Sequence, residues 1–284
     1  MVPGSEFWLL AVSILASALG GMLGMASGIF IVPILTLFGH IGIHTAIGAS
    51  LISVIACSCA SAPSLLNAGL PNIRLAIVLE VATTAGATTG VLLAGFIPMQ
   101  ALLILFTVIM LLSAWQMVGR RRQVVPVVAP GGFWATRRFD ASYPDPVSNA
   151  EIPYRVDRLP LGMAMMYGAG VISALLGIGS GVLKIPAMDN ALRLPIKVSS
   201  ATSNYMIGVT AAAGASYSLL TKTINADVAG PVALGSVLGA MLGARILMRI
   251  DPERLRMLFS VVLAALAVEM FLAAFGMGGT RLAG

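Results

Sequence analysis

The sequence predicts an all-α polytopic membrane protein made of two repeats, each with about four to five transmembrane segments that include a broken or re-entrant helix. Three observations carry that expectation. Of 284 residues, 58% are hydrophobic and only 10% charged, against about 25% charged in an ordinary soluble domain. The mean hydropathy is +0.96 and 31 glycines leave few positions to cover a water-exposed surface. The second half also repeats the first at a fixed spacing. Together these exclude a soluble enzyme, a disordered chain and a nucleic-acid-binding domain. The formal charge of +6 then reads as cationic loops on the cytoplasmic side of a bilayer.

A helix needs about 20 apolar residues to cross a hydrocarbon core of roughly 30 Å. With the leading Met1–Phe7 segment set aside, apolar stretches run over 7–38, 43–68, 73–97 and 99–118. The composition then changes. Arg120, Arg121, Arg122, Arg137, Arg138, Arg155 and Arg158 outnumber Asp140, Asp145, Glu151 and Asp157 among several prolines, which places this segment in the cytoplasm. Apolar stretches resume near 161–192, 198–220, 228–247 and 255–275. The expected organisation is an N-terminal transmembrane repeat over 7–119, a polar cytoplasmic linker over 120–160 and a C-terminal transmembrane repeat over 161–276. No basic region precedes the first apolar run, so no cleavable signal peptide is expected.

The first and fifth stretches are too long for one crossing, and both are interrupted by glycine. Residues 18–28 read ALGGMLGMASG and 177–181 read GIGSG, with Pro33 and Pro186 each five residues beyond the last glycine. Glycine costs a helix about 1 kcal/mol relative to Ala, so each stretch is expected to be two short segments meeting at a turn.

Displaced by 153 residues, the chain matches itself without a gap. Leu23-Gly24 falls on Leu176-Gly177, Ser27-Gly28 on Ser180-Gly181, Pro33 on Pro186, Ser50 on Ser203, Gly86 on Gly239 and Gly90 on Gly243. Duplicated halves with breaks at equivalent places are the sequence mark of secondary transporters, whose site lies between the repeats. The loops with Arg193, Lys197, Arg245, Arg249, Arg254 and Arg256 join the linker on the cytoplasmic side only if the halves are inverted. Five plus five segments with both termini outside satisfy that condition. Trp8 and Trp115 fit interfacial belts.

Cys57 and Cys59, two apart in a helical run, face different ways and read as small buried residues, without a disulfide or metal pair. His40 and His44 have no acidic or thiol neighbours and read as loop or helix-start residues. No metal site and no cofactor are expected. Two residues before Ser180 stands Ile178, where a G-x-S-G serine hydrolase carries Gly, and no HExxH string occurs, which argues against an intramembrane hydrolase.

The strings GMLGMASGIFIVP and ALLGIGSGVLKIP are each followed some twenty residues later by a small-residue patch ending in serine, AIGAS and SSATS. Paired glycines come next. In these features the chain resembles the TauE/SafE sulfite exporter (TSUP) family over nearly all but the linker. The resemblance implies a carrier in the bacterial inner membrane, moving sulfite, sulfonates, sulfoacetate or other small organic anions. Ala26 and Ser27 depart from the usual glycine run, which implies unequal half-sites. The partners implied are a small anion and membrane lipid.

A broken helix presents unpaired N–H groups and roughly half a positive charge at its new N-terminus, where serine hydroxyls can add donors to an oxyanion. Ser27, Gly28, Ser180 and Gly181 are the residues expected there, with close helix packing as the plain alternative. Gly86, Gly90, Gly239 and Gly243 suit packing. Ser50, Thr202, Ser203 and Asn204 form a second polar cluster. Their hydroxyls can bond back to the preceding turn, whereas an unsatisfied Asn204 amide would cost several kcal/mol in lipid, so Ser50, Ser203 and Asn204 join the expected substrate path. Lys184 faces a bound anion or snorkels to an interface. Glu80 carries a coupling proton or pairs with Arg74 near the surface. A channel would use the same glycines, but paired broken helices fit alternating access better than a constant pore.

Overall fold

The computed structural model describes residues 5–23, 27–67, 69–119, 139–145, 150–220, 224–247 and 252–274. Helices α1 (Ser5–Leu23), α2 (Gly28–Leu37), α3 (Ile43–Asn67), α4 (Ile73–Ala94) and α5 (Met99–Gly119) precede a hairpin of β1 (Ala141–Asp145) and β2 (Ala150–Tyr154). Helices α6 (Leu159–Leu176), α7 (Gly181–Asn190), α8 (Ile196–Leu220), α9 (Ala226–Leu247) and α10 (Pro252–Ala274) follow. The expected side-chain roles of Lys197 and Arg245, and the positions of Ala26, Arg120–Arg122, Arg137, Arg138 and Arg249, lie outside what is described.

Among the described residues, α3, α4, α6 and the 226–243 part of α9 are long and apolar enough to cross a bilayer. The surface is apolar: Leu15, Val81, Leu92, Phe96, Leu234 and Val261 are all more than 60% exposed. The interior is apolar as well but also holds hydroxyls, with Ser17, Ser27, Ser50, Ser53, Thr83, Ser180 and Ser203 all fully buried. An apolar surface around such an interior suits a chain surrounded by lipid, where polar groups are satisfied inside the protein.

Both long stretches break where the glycines predict, but their first segments are not short. α1 has 19 residues and α6 has 18, while α2 and α7 have 10 each. Gly21 stays helical because α9 approaches there: a Cβ on Gly21 would lie 3.5 Å from Ala240 Cα. In the second break, Gly177 and Gly179 take φ of 65° and 70°, the left-handed region that ends a helix at little cost for glycine. α7 then returns toward the start of α6. The Asp157 N–H donates to the Leu192 carbonyl at 3.3 Å, and Leu192 fills the space beside Gly162. Pro33 and Pro186 sit inside α2 and α7.

Corresponding helices begin 153 residues apart: α2 and α7, α3 and α8, α4 and α9, α5 and α10. The largest helix contacts are α1 with α9 and α4 with α6. Both pairs run parallel. Gly235, Gly239 and Gly243 meet the Leu10, Ile14 and Ala18 backbone in rising order, as Gly86 and Gly90 meet Tyr167 and Val171. α3 and α8 run antiparallel, since Ser61 bonds Asn204 while Leu51 packs at Gly214.

The linker adds the one β element among the described residues to an otherwise helical chain. Its two strands pair antiparallel, with Ala141 opposite Tyr154 and Tyr143 opposite Ile152. Tyr143, Tyr154 and Val156 are buried against Leu75, Met188 and Leu192. Desolvation pushes the Tyr154 phenol above its ordinary pKa, which keeps it neutral.

Cys57 is buried, but Cys59 is exposed on the apolar surface, correcting the expectation that both are interior. Two helical steps turn a side chain by about 200°, so both cannot face the same core. His40 lies in the α2–α3 loop with φ of 50° and His44 in the first turn of α3.

Candidate functional site

The two helix breaks meet. A Cβ on Gly28 would lie 2.7 Å from the Gly177 carbonyl oxygen and 2.7 Å from Ser50 Oγ, so only glycine fits at the start of α2. Ser50 Oγ donates to that same Gly177 carbonyl at 2.6 Å. Ser50 therefore ties α3 to the opposite break and does not bond back to its own helix. Ser27 and Ser180 occupy the N-cap positions of α2 and α7, and neither side chain caps its own helix.

The surroundings of the two serines differ. Ser27 Oγ is 2.7 Å from Ser53 Oγ, which is 2.5 Å from Ser236 Oγ, and Ser236 donates to the Val232 carbonyl at 2.6 Å. This hydroxyl chain crosses from α2 through α3 to α9. Ser180 Oγ and Ser203 Oγ are fully buried and have no hydrogen-bond partner. Ser17 and Ser199 are likewise buried without a partner; a buried hydroxyl of this kind costs about 1–3 kcal/mol, and Ser180 leaves a free donor at the start of α7.

One turn into α7, Lys184 is fully buried. Its Nζ donates to Glu80 Oε2 at 2.9 Å and to Thr210 Oγ1 at 2.6 Å, and Thr210 donates to Glu80 Oε1 at 2.5 Å. Thr84 Oγ1 adds a long contact of 3.4 Å to the same carboxylate. Lys184 thus does not snorkel. Glu80 does not pair with Arg74, whose side chain is exposed one face away on α4. The triad ties α4, α7 and α8 together. Taking two such charges out of water costs several kcal/mol per ion, and their attraction returns that only with good geometry and further hydrogen bonds; the threonine supplies one.

Gly181 opens α7 as expected. Asn204 Nδ2 donates to Ser61 Oγ at 2.9 Å, and the Asn204 backbone carbonyl accepts from Ser58 Oγ at 2.7 Å. Asn204 thereby joins the seam between α3 and α8. Thr202 accepts from the Asn72 N–H at 3.1 Å and joins α8 to the start of α4. Ser53, Ser236 and Thr210 had no repeat signal to reveal them: their counterparts at a distance of 153 are Met206, Thr83 and Cys57.

A pocket approaches the crossing point from the face away from the linker. It is lined by His44, Ile47, Val91, Leu102, Ala174 and Ser218 among others. Ile47 also packs against Gly177, whose Cβ would come within 2.8 Å of it. Among the described residues, no group of His, Cys, Asp and Glu could hold a metal ion.

A family model described as Sulfite exporter TauE/SafE matches residues 9–270. The chain is 23% identical over 269 residues to the probable membrane transporter protein YunE of Bacillus subtilis (strain 168), covering 92% of this chain and 96% of that one. It is 25% identical to the probable membrane transporter protein MJ0441 of Methanocaldococcus jannaschii, covering 93% and 94%. It is 26% identical to the probable membrane transporter protein YdhB of Bacillus subtilis (strain 168), covering 79% and 83%. No solved structure matches.

Proposed function

This chain belongs to the TauE/SafE sulfite exporter family, a family of multi-pass membrane transporters, and from that premise we propose that it moves a small sulfur-containing or organic oxyanion across the bacterial inner membrane by alternating access, with a proton. The observation that carries the reading is the meeting of the two breaks beside a buried Lys184–Glu80 pair and two orphan hydroxyls. The parallel pairs α1–α9 and α4–α6, and the antiparallel α3 and α8, support inverted repeats related by an axis in the membrane plane. In that arrangement the linker is cytoplasmic and both termini lie outside.

The chemistry follows from charge balance. Lys184 and Glu80 together are neutral. An oxyanion that takes the Lys184 ammonium leaves the Glu80 carboxylate beside another negative charge in a low-dielectric interior, where like charges repel strongly. Glu80 then takes up a proton, and the site stays neutral when loaded with one monoanion and one proton. Ser180 and Ser203 donate their free hydroxyls to the anion, and the α7 N-terminus adds its dipole. Leaving in either direction returns the carboxylate to Lys184.

The test is a thermal-shift screen of purified protein against sulfite, thiosulfate, sulfoacetate, taurine and small carboxylates. A ligand at a hundred times its Kd raises stability by about 2.7 kcal/mol. The expected result is stabilisation by one class of oxyanion. Ser180→Ala combined with Ser203→Ala should weaken that ligand roughly 100-fold or more, as loss of two donors to a charged group implies. Unchanged affinity in the double variant would remove these hydroxyls from the site.

A further inference from the structure

The Lys184–Glu80–Thr210 triad faces a pocket-bearing side and a linker side, and the linker side is closed in two layers. The inner layer is apolar. Leu79 precedes Glu80 on α4, Ala187 and Met188 lie one turn beyond Lys184 on α7, and Met206 lies one turn before Thr210 on α8; all four are buried in one cluster. The outer layer is the linker hairpin, which places Tyr143, Tyr154 and Val156 on that same cluster.

Asn72 joins the layers. Its Nδ2 donates to the Phe139 carbonyl at 3.0 Å and to Tyr154 Oη at 3.0 Å, while its Oδ1 caps α4 by accepting from the Leu75 N–H at 3.1 Å. Its own N–H donates to Thr202 Oγ1 on α8 at 3.1 Å. Asn72 and Glu80 are eight residues apart on α4, as Thr202 and Thr210 are on α8. The two helices are thus bridged at two rungs about 12 Å apart at 1.5 Å per residue. One rung holds the triad and the other holds the hairpin. The hairpin is fixed to the end of α7 as well, through the Asp157 N–H and the Leu192 carbonyl, and braced internally by the Val156 N–H donating to Asp140 Oδ1 at 3.1 Å.

We propose that Asn72 is a positioning residue that latches the linker hairpin over the Lys184–Glu80 pair, so that release of this latch opens the site to the linker face. The inference deepens the transport reading and rests on it for its consequence, although its test needs no transport. Any motion that separates α4 from α8 at the upper rung strains the lower one, so loading of the site and undocking of the hairpin are mechanically joined.

The experiment uses the full chain in oriented vesicles, with Ala187→Cys as a reporter in a Cys59→Ser background. The Cys59→Ser parent without the reporter serves as blank for buried Cys57. A membrane-impermeant cationic methanethiosulfonate is applied to each face. The parent reporter should react slowly from the linker face. Asn72→Asp keeps the Oδ1 cap on α4 and removes both donors to the hairpin; Tyr154→Phe leaves Asn72 untouched and removes one acceptor. Each should speed labelling from the linker face roughly three- to tenfold or more, the size expected for losing one or two hydrogen bonds. Labelling from the opposite face should not change. Equal rates in the parent and both variants, or fast labelling of the parent, would overturn the latch. If Asn72→Asp does not purify as a single species, Tyr154→Phe alone decides. Normal transport by Lys184 variants would instead sink the transport site and leave the labelling result standing.

Discussion

Lys184→Ala is expected to lower anion transport by two orders of magnitude or more and to destabilise the protein by about 3–5 kcal/mol. The stability loss arises because Glu80 is left nearly buried, at 12% side-chain exposure, without its counter-ion. The transport loss arises because truncating one member of a desolvated charge pair costs a bound partner about 2–5 kcal/mol. These two effects separate in the variant Lys184→Met with Glu80→Gln. Replacing both charges with neutral groups of similar size removes the uncompensated charge, so melting should recover most of the way to the unmodified protein. Transport should stay lost, because no cation remains for the anion. Purified-protein melting and uptake into proteoliposomes read the two quantities independently. A double variant that both melts normally and transports normally would leave the ion pair with no part in either.

Gly86→Ala and Gly239→Ala are expected to damage folding strongly, each on one of the two tightest helix seams. A Cβ on Gly86 runs into the Tyr167 carbonyl and Cα, and one on Gly239 into the Ile14 carbonyl and the Ala18 N–H. These contacts are with backbone, so no side chain can rotate away, and α4 must part from α6 or α1 from α9. Overpacking of this kind costs about 1–3 kcal/mol, in interfaces whose close approach is the main source of association between helices in lipid. Gly168→Ala and Gly230→Ala provide the contrast. Nothing lies within 4 Å of a Cβ at either position, so alanine should be neutral or should stabilise its helix by up to about 1 kcal/mol. Melting temperatures of the four variants in one detergent decide the matter.

Much of the helix pattern was legible in the chain because lipid makes hydropathy nearly a direct readout of where helices run. Ser27-Gly28 and Ser180-Gly181 could be placed at helix starts because glycine, serine and proline recur in one register. Lengths were harder to read. α1 keeps Gly20 and Gly21 helical because Ala240 on α9 packs there, a tertiary effect that a local glycine penalty does not contain. The partner of Glu80 was hidden for a similar reason. Arg74 is six residues away in sequence, whereas Lys184 is 104 positions distant, and only the packing of α4 against α6 and α8 brings them together. Thr210, Ser53 and Ser236 were invisible because each differs from its counterpart in the other half. The hairpin was missed because a polar, proline-bearing linker shows little alternation, and its order comes from two tyrosines docking on helices already in place. An amide in an apolar run needs a partner, and for Asn204 that partner, Ser61 on the facing helix, could not be read from the chain.

Proton movement that accompanies anion movement tests the central claim most directly. With a pH-reporting dye trapped in proteoliposomes, the anion that stabilises the purified protein should, on addition, move saturably and carry about one proton per monoanion in the same direction. Glu80→Gln should abolish the proton signal. Anion movement without protons in the unmodified protein, or an unchanged proton signal in Glu80→Gln, would contradict the account.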